Sequence, residues 1–464
     1  MTTDLTVKQH LKNIATLGLP LIGSHVAQFS INMTDTLMLG WYDVEVLAAQ
    51  VIAGTAFFVL FILGSGFAGA VMPMVAEAEA AGEGTQVRRV TRMAIWASLF
   101  YCIFAVPVML FSEPILLLAG QTPEVARLAE DYLWINGWSI LPALMVMVFK
   151  SYLSALERAG VVLWVTLAAV AINVVVNYAL IFGNWGFPEM GIRGAAVASL
   201  IVNIASMALL GAYLHFVTPE HEIFARFWRP DWEAFRAVTR LGWPMGLTSL
   251  AEVGLFAAAS LMMGWLGTLP LAAHGIALQI TAVTFMVHLG LSNAATVRAG
   301  RAVGRRSMGD LRLGAKLIIT LSAVFAALTL VAFLVFPEPL LGLFLSPDDP
   351  QRDIVIALGV PLLAAAGLFQ FADAAQALAL GVLRGVQDTR VPMIMAGISY
   401  WVIGVPISYG MGFVLGWEGV GVWAGLAVGL ACAGVLLMAR FWGPVMVQTQ
   451  ARIDRQTAAK AEVS

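Results

Sequence analysis

LGLPLIGSHVAQFSINMTDTLMLGWYDVEVLAAQVIA, residues 17–53, recurs as LGWPMGLTSLAEVGLFAAASLMMGWLGTLPLAAHGIA, residues 241–277, at a constant offset of 224 and without a gap. Thirteen of the 37 positions are identical, among them Gly18/Gly242, Pro20/Pro244, Gly40/Gly264, Trp41/Trp265 and Leu47-Ala48-Ala49 against Leu271-Ala272-Ala273. Farther on, Ser112-Glu113-Pro114 meets Pro337-Glu338-Pro339, and GIRGAAV from Gly191 meets GWEGVGV from Gly416, both at an offset of 225. Two halves of similar length, both very apolar, are the pattern of a duplicated membrane transporter.

Composition fixes the solvent. Mean hydropathy is +0.86; 60% of residues are hydrophobic and 12% charged, against ~25% charged in soluble domains. A soluble chain of 464 residues could not hide that much apolar surface. The net charge of −2 gives no argument for a nucleic-acid partner. Cys102 and Cys432 lie far apart in apolar runs and read as buried thiols. The first apolar stretch carries Pro20 and Asp35 and no small-residue cleavage site, so it reads as a spanning helix and not a removed leader.

A span needs ~20 apolar residues. Punctuation by Gly, Pro and charge predicts an all-α membrane protein of twelve helices, at 13–40, 46–73, 90–111, 127–150, 160–182, 191–214, 238–264, 271–297, 313–336, 354–380, 391–415 and 418–443. The expected organisation is an N-terminal lobe (1–214), a cytoplasmic linker (215–237), a C-terminal lobe (238–443) and a polar tail (444–464). With the N-terminus inside, 23 of the 26 basic residues fall on the cytoplasmic side, leaving only Arg127, Arg193 and Arg352 outside. The positive-inside rule therefore supports twelve spans with both termini cytoplasmic. Six is even, so the repeats are parallel, related by an axis along the membrane normal, around a central cleft.

Three carboxylates fall inside spans: Asp35 in FSINMTDTLMLG, Glu252 in LTSLAEVGLFAAA and Asp373 in LFQFADAAQALAL. An ionised carboxylate at mid-bilayer costs ~2.5–3.5 kcal/mol on insertion scales. No lysine or arginine is expected at comparable depth to neutralise them. Asp35 aligns with Ala259, Glu252 with Gln28, and Asp373 with Val148 if the offset stays at 225. Acids needed by the shared fold should appear in both halves; these appear once, which favours function. A desolvated carboxyl loads and releases a proton near neutrality, and its oxygens also suit a hard cation such as Na⁺. An organic cation could compete for the same charge.

Asn173 and Asn177 stand four apart on one helical face, and Gln28, Ser30, Asn32, Thr34 and Thr36 crowd the helix of Asp35. Such residues also serve as interhelical glue. Pro20 and Pro244, retained by both copies, are candidate bending points for a gate. His25, His274 and His288 read as packing residues, and most of the 21 Met and 25 Phe as packing or lipid contacts.

FSINMTDTLMLG, SLAEVGLFAAASLMMGWLG and FQFADAAQALALGVLRGVQDTRVP resemble the MATE family of multidrug and toxin extruders, in its NorM-like bacterial branch. The resemblance covers about residues 10–445 and extends to the loops PMVAEAEAAGEGT and VRAGRAVGRRSMGD. It implies two six-helix lobes arranged as a V and export of organic cations and drugs in exchange for Na⁺ or H⁺. By the same resemblance Glu252 and Asp373 match a cation site that can hold Na⁺, and Asp35 with Asn173 and Asn177 matches the N-lobe site. One place departs: members can carry a tyrosine one turn before the tenth-helix acid, where this chain has Phe369. A phenol oxygen is thereby lost, which weakens the case for sodium. Beyond the coupling ion no cofactor is expected, and the partners expected are small organic cations and the lipid bilayer, with the chain a monomer in the inner membrane.

Other classes fare less well. A lipid-linked precursor flippase of related lobes would need basic residues at mid-membrane. An intramembrane enzyme would need a catalytic constellation, and neither HExxH nor GxSxG occurs. A passive channel has no use for asymmetric acids.

Overall fold

The computed structural model describes residues 5–347 and 350–463, so residues 1–4 of the expected first lobe and Ser464 of the expected tail lie outside it. The described residues form helices and no strand. Twelve helices are long and apolar enough to cross a membrane: α1 Val7–Tyr42, α2 Glu45–Ala80, α3 Gly84–Leu110, α4 Pro123–Ala155, α5 Ala159–Phe182, α6 Ile192–Val217, α7 Trp232–Leu266, α8 Thr268–Gly304, α9 Met308–Val335, α10 Arg352–Gly385, α11 Arg390–Val414 and α12 Glu418–Arg455. Each coincides with one expected span, most of them longer. The chain is a multi-pass membrane protein.

Local chemistry sets the helix ends. The Asp43 carboxylate accepts from the backbone N–H of Glu45 (2.8 Å) and Val46 (3.1 Å) and starts α2. Ser307 Oγ accepts from Asp310 N (3.0 Å) at the start of α9. Gly183, at φ +69°, closes α5 in the left-handed conformation. Beyond Gly443, where the backbone kinks, the chain continues as a helix over Met446–Val463. The expected polar tail is therefore helical.

The duplication is written into the backbone as well. Left-handed residues recur in register: Gly82 with Arg306, Glu157 with Gln387, and Gly191 with Gly416. These pairs stand 224, 230 and 225 apart. Five of the six extra residues lie in the connection from Gly342 to Arg352, which is five longer than that from Leu118 to Pro123, and the sixth in α10, which is one residue longer than α4. Asp373 therefore falls opposite Ala143, not Val148, and still has no acidic counterpart.

The chain forms two compact units, Gly23–Gly246 and the residues up to Ile22 together with Leu247–Ser464. These boundaries differ from the expected division at 214 and 238, because α1 and α7 each contribute to both units. Within Gly23–Gly246 the segment expected as a linker is bound down. Arg89 donates to Asp231 (2.5 Å) and Glu233 (2.7 Å), Arg92 to the Arg226 carbonyl (3.1 Å), and Trp96 Nε1 to the Phe227 carbonyl (3.0 Å). The guanidinium of Arg89 holds the Asp231 carboxyl below the usual carboxylate range. In the other unit the Asp310 carboxylate accepts from Leu5 N (2.8 Å) and Arg305 Nη2 (3.0 Å) and meets His10 Nε2 (3.2 Å).

Glycine allows the closest crossings. A Cβ on Gly66 of α2 would strike the backbone of Gly242 and Gly246 in α7, within one unit. A Cβ on Gly290 of α8 would likewise fall within 3 Å of the backbone and side chain of Ile22 in α1, within the other. Gly66 and Gly290 are 224 apart, so duplication kept this crossing in both copies.

Candidate functional site

In the unit containing Leu247–Ser464, the sequence-predicted acids Glu252 and Asp373 come together. Asp373 and Gln376 are one turn apart on α10 and face α7. Gln376 Nε2 donates to Glu252 Oε1 at 2.7 Å and to Asp373 Oδ1 at 3.4 Å. Its carbonyl Oε1 accepts from the Tyr400 hydroxyl of α11 at 2.5 Å. Asp373 is 2% exposed, and Gln376 and Tyr400 are fully buried. One amide thus bridges two carboxylates and is itself held in orientation by a phenol.

Gln376 and Tyr400 did not stand out in the sequence, since an amide and an aromatic are ordinary in an apolar helix. Phe369 is fully buried edge-on to Phe256 (5.9 Å between centroids) and Trp423 (5.5 Å), in a purely apolar contact. The phenol at this cluster is that of Tyr400, delivered from α11 and engaged with the Gln376 carbonyl.

The expectation that no basic group lies near these acids fails. Arg384, in the last turn of α10, interacts electrostatically with Glu252 and Tyr400. Helical Cα–Cβ bonds tilt toward the N-terminus, which carries this side chain back along α10 toward Gln376. A second base, Lys150 of α4, lies within a span and donates to Gln28 Oε1 at 3.5 Å.

In the unit Gly23–Gly246, Asp35 of α1 is 6% exposed and Asn173 and Asn177 of α5 are fully buried. Asn173 Nδ2 (2.9 Å) and Asn177 Nδ2 (2.5 Å) both donate to Asp35 Oδ1. The amide carbonyls of Asn173 and Asn177 are buried and make no hydrogen bond. Ser199 of α6 and Tyr132 of α4 complete the surroundings. A carboxylate with two unsatisfied carbonyl oxygens is the donor set a hard cation takes. All five predicted polar residues therefore lie in two clusters, one in each unit. Pro20 and Pro244 lie inside continuous α1 and α7, each two residues before the unit boundary.

His274 and His288 behave as packing residues. Trp423 Nε1 donates to His274 Nδ1 (3.1 Å), leaving Nε2–H for Ser260 (3.1 Å). Gln370 uses its amide N–H on Thr284 (2.7 Å), so its carbonyl accepts from His288 Nε2 (3.1 Å), and His288 Nδ1 faces Ser322 (2.7 Å). Both rings have both nitrogens satisfied in the neutral form.

The MatE family profile matches residues 20–179 and 244–410, one stretch in each repeat. The chain is 48% identical over 450 residues to "Probable multidrug resistance protein NorM" of Rhizobium meliloti (strain 1021), covering 95% of this chain and 96% of that protein. It is 35% identical over 459 residues to the protein of the same name in Pseudomonas putida, covering 96% and 98%. Among solved structures, it is similar to the eukaryotic MATE transporter AtDTX14, with a TM-score of 0.84, 19% identity and coverage of 96% and 99%. A multidrug resistance MATE family transporter in an outward-facing conformation gives a TM-score of 0.83, 19% identity and coverage of 98% and 99%.

Proposed function

The chain belongs to the MatE family, and from that premise we propose that it is a secondary active multidrug exporter, expelling organic cations in exchange for Na⁺ or H⁺ by alternating access. The relatives named multidrug resistance proteins support the substrate class. The observation that carries the coupling is the Glu252–Gln376–Asp373 cluster. Two carboxylates sharing one amide in an apolar interior need a cation or a proton between them. With Arg384 in electrostatic reach, ionised Glu252 and Asp373 leave a net charge of one negative, which a single Na⁺ or a single proton cancels.

When that charge is cancelled, the local attraction for an organic cation falls. The coupling ion and the substrate thus compete, and reciprocity makes each lower the affinity for the other. Asp35 with Asn173 and Asn177 is a second ion-responsive site, loaded by a proton or Na⁺. Pro20 and Pro244 serve as bending points in α1 and α7. Tyr400 and Gln376 position the acids rather than carry charge themselves. No catalytic residue and no resident cofactor is assigned. The protein acts as a monomer in the inner membrane, with both termini cytoplasmic.

The test is ethidium efflux from de-energised, preloaded cells of an efflux-deficient bacterium producing the protein, under an inward Na⁺ or an inward H⁺ gradient applied separately. Efflux driven by one gradient names the coupling ion. No efflux under either gradient, with the protein in the membrane, removes the antiport reading.

A further inference from the structure

Lys150 is a charge that the coupling sites do not use. It lies five residues from the end of α4, half-buried, beside half-buried His25 and exposed Gln28 of α1. Its ammonium makes one hydrogen bond, to the neutral amide oxygen of Gln28 at 3.5 Å, and no ion pair is found for it among the described residues. A lysine near a helix end normally extends toward the interface and water. This one starts on a Cα–Cβ bond tilted toward the N-terminus of α4, away from the nearby end at Ala155, and reaches the middle of α1.

The internal repeat sharpens its meaning. Gln28 is the counterpart of Glu252, and Lys150, at the offset of 230 set by Glu157 and Gln387, is the counterpart of Leu380. Where the second copy carries an acid facing α10, the first carries an amide facing an ammonium on α4. Asp35 lies seven residues beyond Gln28, on the same face of α1 and about 10 Å along its axis. One unit therefore presents a positive and a negative group along one helix face, about two turns apart.

We propose that Lys150 binds the carboxylate of zwitterionic substrates, lipophilic cations that also carry an acid, while their cationic end lies toward Asp35. The inference rests on the export function proposed above and assigns a residue that selects among its substrates. Lys150 acts as a specificity determinant: it attracts a substrate with a negative group at that end and repels one with only positive charge. Gln28 holds the ammonium in place when no carboxylate is bound.

The experiment uses a matched pair of dyes, rhodamine 6G, an ethyl-ester monocation, and its free acid, a zwitterion at neutral pH. Export of each is followed in everted vesicles containing the full chain, wild type, Lys150→Met or Lys150→Arg, at equal protein abundance. The acid-to-ester export ratio is expected to fall about tenfold in Lys150→Met, the scale of losing one charged partner. Lys150→Arg is expected to keep the wild-type ratio, which separates charge from packing. A wild type that exports the ester but not the acid overturns the assignment and leaves the export function standing. An unchanged ratio in Lys150→Met overturns it as well, as does a parallel loss of both dyes. A wild type that exports neither dye overturns both the assignment and the export reading beneath it.

Discussion

Gln376 is the residue on which the C-terminal cluster turns. Its two amide hydrogens point at two acids and its oxygen at a phenol, so no conservative change preserves all three contacts. Tyr400→Phe removes only the hydroxyl and frees the amide to rotate. We expect folded protein, a stability loss of about 1 kcal/mol, and a several-fold rise in the ion concentration that half-saturates exchange. A wild-type ion dependence in Tyr400→Phe would show that the amide needs no such orientation. In the other unit, Asn177→Ala takes away one of two donors to Asp35 Oδ1. Reduced ethidium export at wild-type abundance is expected, measured in the same cells.

The residue scale also separates what a sequence can reveal from what it cannot. Asp35, Glu252 and Asp373 were legible because an acid in an apolar run is costly, and Asn173 and Asn177 because of their helical spacing. Tyr400 and Gln376 carry no such signal, for only the packing of α11 on α10 brings them to the acids. Arg384 and Lys150 were misplaced for a different reason. Both sit near helix ends, where sequence assigns a base to the interface, whereas side-chain tilt carries each back into the span.

At the scale of elements, the crossing of α2 and α7 depends on Gly66, Gly242 and Gly246, and that of α8 and α1 on Gly290. In lipid, close backbone approach supplies the packing that the hydrophobic effect supplies in water. Gly66→Leu places a side chain where the α7 backbone runs, and neither backbone can yield without separating the helices. Loss of monodisperse protein in detergent, or a fall of more than about 10 °C in melting temperature, is the expected result. A stable Gly66→Leu protein would refute this account of the crossing. The twelve elements themselves were legible from length and hydropathy alone. The register between repeats was not, because the extra five residues before Arg352 lie in a polar connection that an ungapped alignment crosses unseen.

For the whole molecule, the sequence predicted two lobes meeting at a linker, and the units divide instead inside α1 and α7. A composition shift marks 215–240 as polar, but polarity does not say that Arg89, Arg92 and Trp96 bind that stretch to α3. The orientation in the membrane yields its own prediction. In a protein with Cys102 and Cys432 replaced, a cysteine at Glu220 should react with an impermeant maleimide only from the cytoplasmic side, and one at Glu189 only from outside. The opposite pattern would reverse the topology.

The central claim is that export is driven by an ion that loads the acids bridged by Gln376. It is tested most directly in proteoliposomes loaded with ethidium, comparing wild type with Asp373→Asn under whichever imposed gradient, Na⁺ or H⁺, drives the wild type. The account predicts gradient-driven efflux from wild type and none above the passive leak from Asp373→Asn, with the variant incorporated equally and as stable. Wild-type efflux from Asp373→Asn would contradict it.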